Sequence, residues 1–470
     1  MNNEEIKKFI DHTWDSSITP TLMEYIYIPN KSPLFDPKWK QNGHMDKAVK
    51  LIADWCENFG VKNMHLEVVQ LDDRTPVIFM EIAGSSDETI LLYGHLDKQP
   101  EMSGWDADLE PWKPVLKGDK LYGRGGADDG YAAFASLTAI KALQEQNIPH
   151  ARCVILIEAC EESGSYDLPF YIDALADRIK QPDLVICLDS GCGNYDQLWM
   201  TTSLRGLIGG VLRIDVLRQG IHSGYGSGIV PSCFTVLRQL LGRIEDEKNG
   251  KVQLADLEVE IPKGRQQQAE QAAEILKETL YKSYPFVEGV KTATDDNTQL
   301  ILNRTWRAAL SVTGADGLPA LENAGNVTLP HLTIKLSVRI PPTCDTEFAA
   351  NALKKTLETD PPFNARVRFD IEDTGSGWNA PAEVQWLSQA ANDASKEFFG
   401  KDAAYMGEGG SIPFMGMLGK KFPSSQFLIT GVLGPKSNAH GPNEFLHIPT
   451  GKKLTACVAH VISEHYKQKK

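Results

Sequence analysis

The chain has 470 residues, too many for one ordinary core, so two domains are expected. Hydrophobic residues make up 42% and charged residues 23%, the balance of a soluble globular chain. Lys and Arg number 48 against 62 Asp and Glu, and the net charge of -14 disfavours nucleic acid and anionic membranes as partners.

The opening segment MNNEEIKKFI has no apolar run behind a basic cluster and does not read as a secretory signal. No stretch approaches 18 consecutive apolar residues, so no membrane span is expected. Short apolar runs at 77–83 and 89–93 read as buried strands. The stretch from 94 to 123 reads as irregular. From Asp129 the pattern turns helical, with Tyr131, Phe134, Leu137, Ile140 and Leu143 at three-residue spacing. Residues 154–159 and 184–188 are two further strands. Strand, helix, strand order predicts an α/β domain whose mixed, mainly parallel sheet is flanked by helices.

Near Arg205 the texture changes. Residues 207–216 form a predicted strand leading into GIHSGYGSG, with a helix from about Ser232 and a polar helical tract over 265–282. In His331–Ile340, Leu332, Ile334, Leu336, Val338 and Ile340 alternate with polar residues, as in a half-buried strand. A helix over 345–359 and a strand over 365–372 complete a separate α+β domain. Residues 382–399, 426–431 and 454–466 then read as helix, strand and helix returning to the first sheet. The expected plan is a first domain in two parts, 1–204 and 378–470, with 205–377 inserted between them. The eight cysteines are scattered, with no CxxC pair, and are expected as buried free thiols in a reducing cytoplasm.

Five segments carry acids or histidine: GHLD (94–97), GRGGADD (123–129), EACEESGS (158–165), CLDSG (187–191) and NAHGPNEF (438–445). Four of them follow a predicted apolar strand, and ligand sites in open α/β sheets form outside the carboxyl ends of strands. Each alone has an ordinary use. An acid at Asp128–Asp129 is a good helix N-cap, and Glu161–Glu162 would suit a solvated loop. Together they point to a cation, because clustered carboxylates repel without one. Imidazole and carboxylate without thiolate suit Zn²⁺, Mn²⁺ or Co²⁺. Two such ions sharing a carboxylate and a water would make a hydrolytic centre.

These segments resemble those of the carnosinase/aminoacylase family of di-zinc metallopeptidases, peptidase family M20, and are most like its cytosolic nonspecific dipeptidase and carnosinase branch. The resemblance runs over nearly the whole chain. It implies two divalent ions per subunit, zinc with manganese or cobalt as alternatives. His95 and Asp189 would hold one ion, Glu162 and His440 the other, and Asp128 would bridge them. Asp97 would sit behind His95 and fix its ring. Glu161 would be the general base for the metal-bridging hydroxide and would later protonate the leaving amine. The Asp128–Asp129 peptide is expected to be cis.

The inserted domain would be a ferredoxin-like lid that mediates a homodimer. His222 would reach the partner's site to support the oxyanion, and Arg339 would bind a substrate carboxylate. Asn326 falls where the family places a polar group near the scissile carbonyl, and Gly410 and Ser411 resemble a loop that contacts the substrate C-terminus. Asp at position 189 goes with dipeptidase or aminopeptidase action rather than acylase or carboxypeptidase action. The resemblance thus implies a cytoplasmic metallopeptidase acting on dipeptides or short peptides. An N-acyl-amino-acid deacylase and a non-catalytic metal-binding protein remain as alternatives. One departure stands out: the family follows its Asp–Asp pair with Lys–Gly, and this chain has Gly130-Tyr131. His12, His44, His65, His150, His331, His447, His460 and His465 lack a partner segment and are expected to be structural or exposed.

Overall fold

The structure is a computed structural model that describes residues 1–468. The chain divides into two units: Met1–Thr202 with Ala380–Met406 and Pro413–Lys470, and Ser203–Asn379 with Gly407–Ile412. The sequence predicts 407–412 as part of the first domain. This short segment instead packs with the second unit, where Arg205 donates from Nε to the Gly409 carbonyl at 3.1 Å.

In the first unit, six strands among the described residues form one sheet. Their spatial order is Met64–Val69, Val77–Ile82, Arg152–Glu158, Thr89–His95, Pro182–Cys187 and Gln426–Ile429. The last four run parallel to one another, and Val77–Ile82 is antiparallel to both of its neighbours. Thr89–His95 is buried at every position, which explains its unbroken apolar run. The stretch read as irregular contains a small hairpin, Val115–Lys117 with Lys120–Tyr122. The Ala132–Glu145 helix is buried on most of its surface, not only along one stripe, and it packs against the closing helix Ile448–Lys467. Among the described residues, no helix is long and apolar enough to cross a membrane.

Gly94 sits where a side chain has no room. A Cβ there would lie 2.5 Å from Ala132 Cβ and 2.8 Å from Asp129 Oδ2. The glycine lets the strand end come down onto the start of the helix and brings His95 beside the Asp128–Asp129 turn. The Asp128–Asp129 peptide is cis. Gly130 is equally confined, with a Cβ 2.3 Å from the Tyr25 ring.

The second unit is built on a four-stranded antiparallel sheet in the order Ala309–Asp316, His331–Ile340, Gly206–Asp215, Arg366–Gly375. Numbered along the chain, these strands stand 2-3-1-4. With the helices Cys233–Leu241 and Thr346–Glu358 they give the β-α-β-β-α-β order of a ferredoxin-like domain. The alternation in His331–Ile340 is real: its five aliphatic residues are buried against Val236, Leu240, Leu353 and Leu357. Ser232 and Asp345 cap the two helices by accepting from the amides of Phe234 and Phe348. The tract expected over 265–282 breaks at Lys277, whose φ of 48° ends Lys263–Leu276 before the short turn Thr279–Lys282.

Candidate metal centre

Three neighbouring parallel strands of the first sheet end in acidic or imidazole side chains. Thr89–His95 delivers His95 and Asp97, Arg152–Glu158 leads to Glu161 and Glu162, and Pro182–Cys187 leads to Asp189. Only these three of the five segments extend main-sheet strands. Asp128 follows the short strand Lys120–Tyr122, and His440 lies on the loop before Phe445–His447.

The side chains converge. His95 Nε2 lies 3.3 Å from Asp128 Oδ1 and 3.8 Å from Asp189 Oδ2. His440 Nε2 lies 3.0 Å from Asp128 Oδ2 and 3.3 Å from Glu162 Oε2. In each of the triplets His95/Asp128/Asp189 and Asp128/Glu162/His440, one ligand atom per residue lies within 4.8 Å of the others. The two oxygens of Asp128 thus face two different histidines. A tetrahedral ion with bonds near 2.1 Å needs donors about 3.4 Å apart, so the spacing and the donor types both fit divalent ions.

The electrostatics point the same way. Burial, then the Asp128 and Glu161 charges, push the Glu162 carboxyl well up. Burial also pushes Asp189 up, to about 6, with His95 opposing and Asp128 assisting. Glu161 is pushed well up by burial and then by the charge of Asp189. For Asp128 burial is outweighed by hydrogen bonds to His440 and His95, which hold it far below the usual carboxylate range. Such crowding of buried carboxylates is what bound cations relieve.

The supporting contacts refine the reading of Asp97. Its carboxylate accepts from the backbone amides of Glu161 and Glu162, each at 3.0 Å. The oxygen nearest His95 Nδ1 is the Asp97 carbonyl, at 3.1 Å, with the carboxylate at 3.6 Å. Asp97 therefore organises the Glu161–Glu162 turn as well as the imidazole. Sequence reasoning missed Gln99, which donates to Glu162 Oε2 at 2.5 Å. It also missed the buried pair Arg124–Glu444, at 2.6 Å, although both residues stand inside segments it singled out. The Gly130-Tyr131 departure has a structural use: the buried Tyr131 hydroxyl donates to the Leu188 carbonyl at 2.5 Å, next to Asp189.

Within the second unit, Arg339 lies 3.5 Å from Ser411 Oγ through Nη1. Burial, then the charges of Arg339 and Arg304, lower Arg205 to about 10, and burial lowers Arg339 itself. Asp373 opposes the shift at Arg339, and Glu408 faces both Arg205 and Arg304. His222 is exposed on a two-residue strand paired with Val327–Thr328, and Asn326 adjoins it, accepting from the Ser223 amide at 2.8 Å. Of the remaining histidines, His150 and His465 are buried.

Residues 91–464 match peptidase family M20/M25/M40. The chain is similar to the Cys-Gly metallodipeptidase of Saccharomyces cerevisiae, with 30% identity over 415 residues, 83% of this chain and 82% of the relative. It is 26% identical to the human Beta-Ala-His dipeptidase over 91% of this chain and 85% of that one. The solved structure of human carnosine dipeptidase 1 has the same fold, with a TM-score of 0.79 at 21% identity, covering 99% of each chain. The structure of the S. cerevisiae di-peptidase Dug1p superposes with a TM-score of 0.77 at 24% identity, covering 98% of this chain and 99% of that one.

Proposed function

Because the chain belongs to peptidase family M20/M25/M40 and is a metallopeptidase, we propose that it hydrolyses the peptide bond of dipeptides at a two-ion centre. The observation that carries this reading is the position of Asp128, whose two oxygens face His95 and His440 separately. His95 and Asp189 would hold one ion and Glu162 and His440 the other, with Asp128 available to both. Zinc suits this imidazole and carboxylate set, with manganese and cobalt as the alternatives. When bound, the two ions supply Lewis-acid activation of water and of the scissile carbonyl.

The chain's own groups do the rest. Glu161 accepts the proton of the attacking water and returns it to the leaving nitrogen. Its place at the turn is held by the Asp97 carboxylate. Arg339 binds the substrate carboxylate through its planar fork, assisted by Ser411 and Gly410. His222 from a second copy donates to the oxyanion, beside Asn326. Dipeptides are favoured because the relatives reported above are named for Cys-Gly and Beta-Ala-His hydrolysis.

Metal-replete protein is expected to cleave Cys-Gly or β-Ala-His at least tenfold faster than N-acetyl or N-succinyl amino acids, assayed with Zn²⁺, Mn²⁺ and Co²⁺ in turn. Faster turnover of the N-acyl compounds would replace the dipeptidase reading with a deacylase. The eight cysteines are all free and seven are buried, which supports a reducing, cytoplasmic setting. A homodimer is part of the proposal, supported by the exposed apolar residues Tyr225, Ile229 and Val327 around His222. Mixed dimers of His222→Ala and Glu161→Gln subunits are expected to recover activity that neither parent has. Verified mixed dimers without recovery would place His222 outside the partner's reaction.

A further inference from the structure

Among the proposed ligands His440 is the exposed one. Its side chain is 55% exposed, whereas His95, Asp128, Glu162 and Asp189 are buried. Its backbone is left-handed, at φ 64°, and so are Asn438 at 56° and Asn443 at 61°. Asparagine tolerates this region, but a histidine there is costly and persists where neighbours over-determine the backbone. His95 is anchored differently. It ends a fully buried strand, and its amide donates to Asp129 Oδ2 at 3.3 Å.

A buried ion pair anchors the His440 loop on its Gly441–Glu444 side. Arg124 Nη1 donates to Glu444 Oε2 at 2.6 Å, Nη2 donates to the Gly441 carbonyl at 2.8 Å, and Nε donates to the Pro100 carbonyl at 3.2 Å. The other Glu444 oxygen accepts from the Gly125 amide at 2.9 Å, and the Glu444 carbonyl accepts from the Gly123 amide at 3.0 Å. Arg124 is 1% exposed and Glu444 0%. One side of this clamp is the segment that runs into Asp128, and the other begins at the residue after His440. A guanidinium fork can address Glu444 and Gly441 together, and an ammonium cannot reproduce that geometry.

We propose that Arg124 and Glu444 are a positioning pair that sets the His440–Asp128 spacing. They thereby act chiefly on the ion held by Glu162 and His440, through His440, which is absent from the His95/Asp128/Asp189 triplet. The proposal rests on the two-ion reading given above. It goes further in assigning the two ions separate supports, so that one can be weakened more than the other.

The test is a Co²⁺ titration of metal-free Glu444→Gln and Arg124→Lys. It is followed by the visible d–d absorption and by counting retained ions after dialysis. The first equivalent is expected to bind as in the unsubstituted protein and the second about 10–100-fold more weakly, the range for loss of a group that supports a ligand. Arg124→Lys keeps the charge opposite Glu444 and serves if Glu444→Gln does not fold. Unchanged affinity for both equivalents overturns the proposal. So does equal weakening of both, or failure of both variants to fold, since either assigns the pair to general stability. If the unsubstituted protein binds fewer than two Co²⁺, the two-ion reading itself fails, which is a separate outcome.

Discussion

Glu161→Gln is expected to keep both ions and to lose turnover by about 10²–10⁴-fold, the usual worth of a positioned acid or base. That corresponds to about 2.7–5.5 kcal/mol in the barrier. Glu161 stands apart from both ligand triplets, so its loss removes no donor from them. Glutamine has nearly the same shape, and the backbone amide that Asp97 holds at 3.0 Å is untouched. The change therefore deletes the proton acceptor and little else. The expected signature is a fall in kcat with KM close to its original value, because binding does not use this carboxylate. Substantial turnover in a variant carrying its full complement of ions would remove Glu161 from the proton-transfer role. A matching loss of ions would instead make it a ligand.

Asp128→Ala is expected to be the more drastic change, abolishing activity together with the binding of both ions. The reason is geometric. Asp128 Oδ2 faces His440 at 3.0 Å and Oδ1 faces His95 at 3.3 Å, so one side chain belongs to both triplets. Each remaining pair, His95/Asp189 or Glu162/His440, offers two side chains where a stable zinc site uses three or four. Both affinities should fall by at least the 10–100-fold known for loss of mere supporting groups. The contrast is with Asp189→Ala, which removes a donor from one triplet only. Retention of one ion at unchanged affinity in Asp128→Ala would show that this carboxylate serves a single ion.

The strands that deliver the site were legible because they are buried at all or nearly all positions. Thr89–His95 and Arg152–Glu158 leave apolar runs that no loop would carry, and the acids follow directly after them. The polar alternation in His331–Ile340 was equally plain. Its edge partner Ala309–Asp316 was not: it is largely exposed, carries a bulge after Val312, and so has no apolar face to read. The ligand roles came from resemblance, since spacing alone left several acids equivalent. The contacts that hold the ligands were out of reach for another reason. Arg124 and Glu444 are 320 positions apart, and Gln99 and Glu162 are 63 apart. A pairing across such separations has no period or local pattern. It appears only when the sheet has brought the loops together. The return of 407–412 to the second unit is of the same kind.

The proposed dependence of hydrolysis on two ions sharing Asp128 can be checked by titrating the metal-free protein with Zn²⁺ while counting bound ions and following cleavage of a dipeptide. Two ions per chain are expected, with dipeptide hydrolysis absent from the metal-free protein and reaching its plateau as the second ion binds. Full activity in the metal-free protein, or two bound ions with no cleavage of any dipeptide, would contradict the proposal.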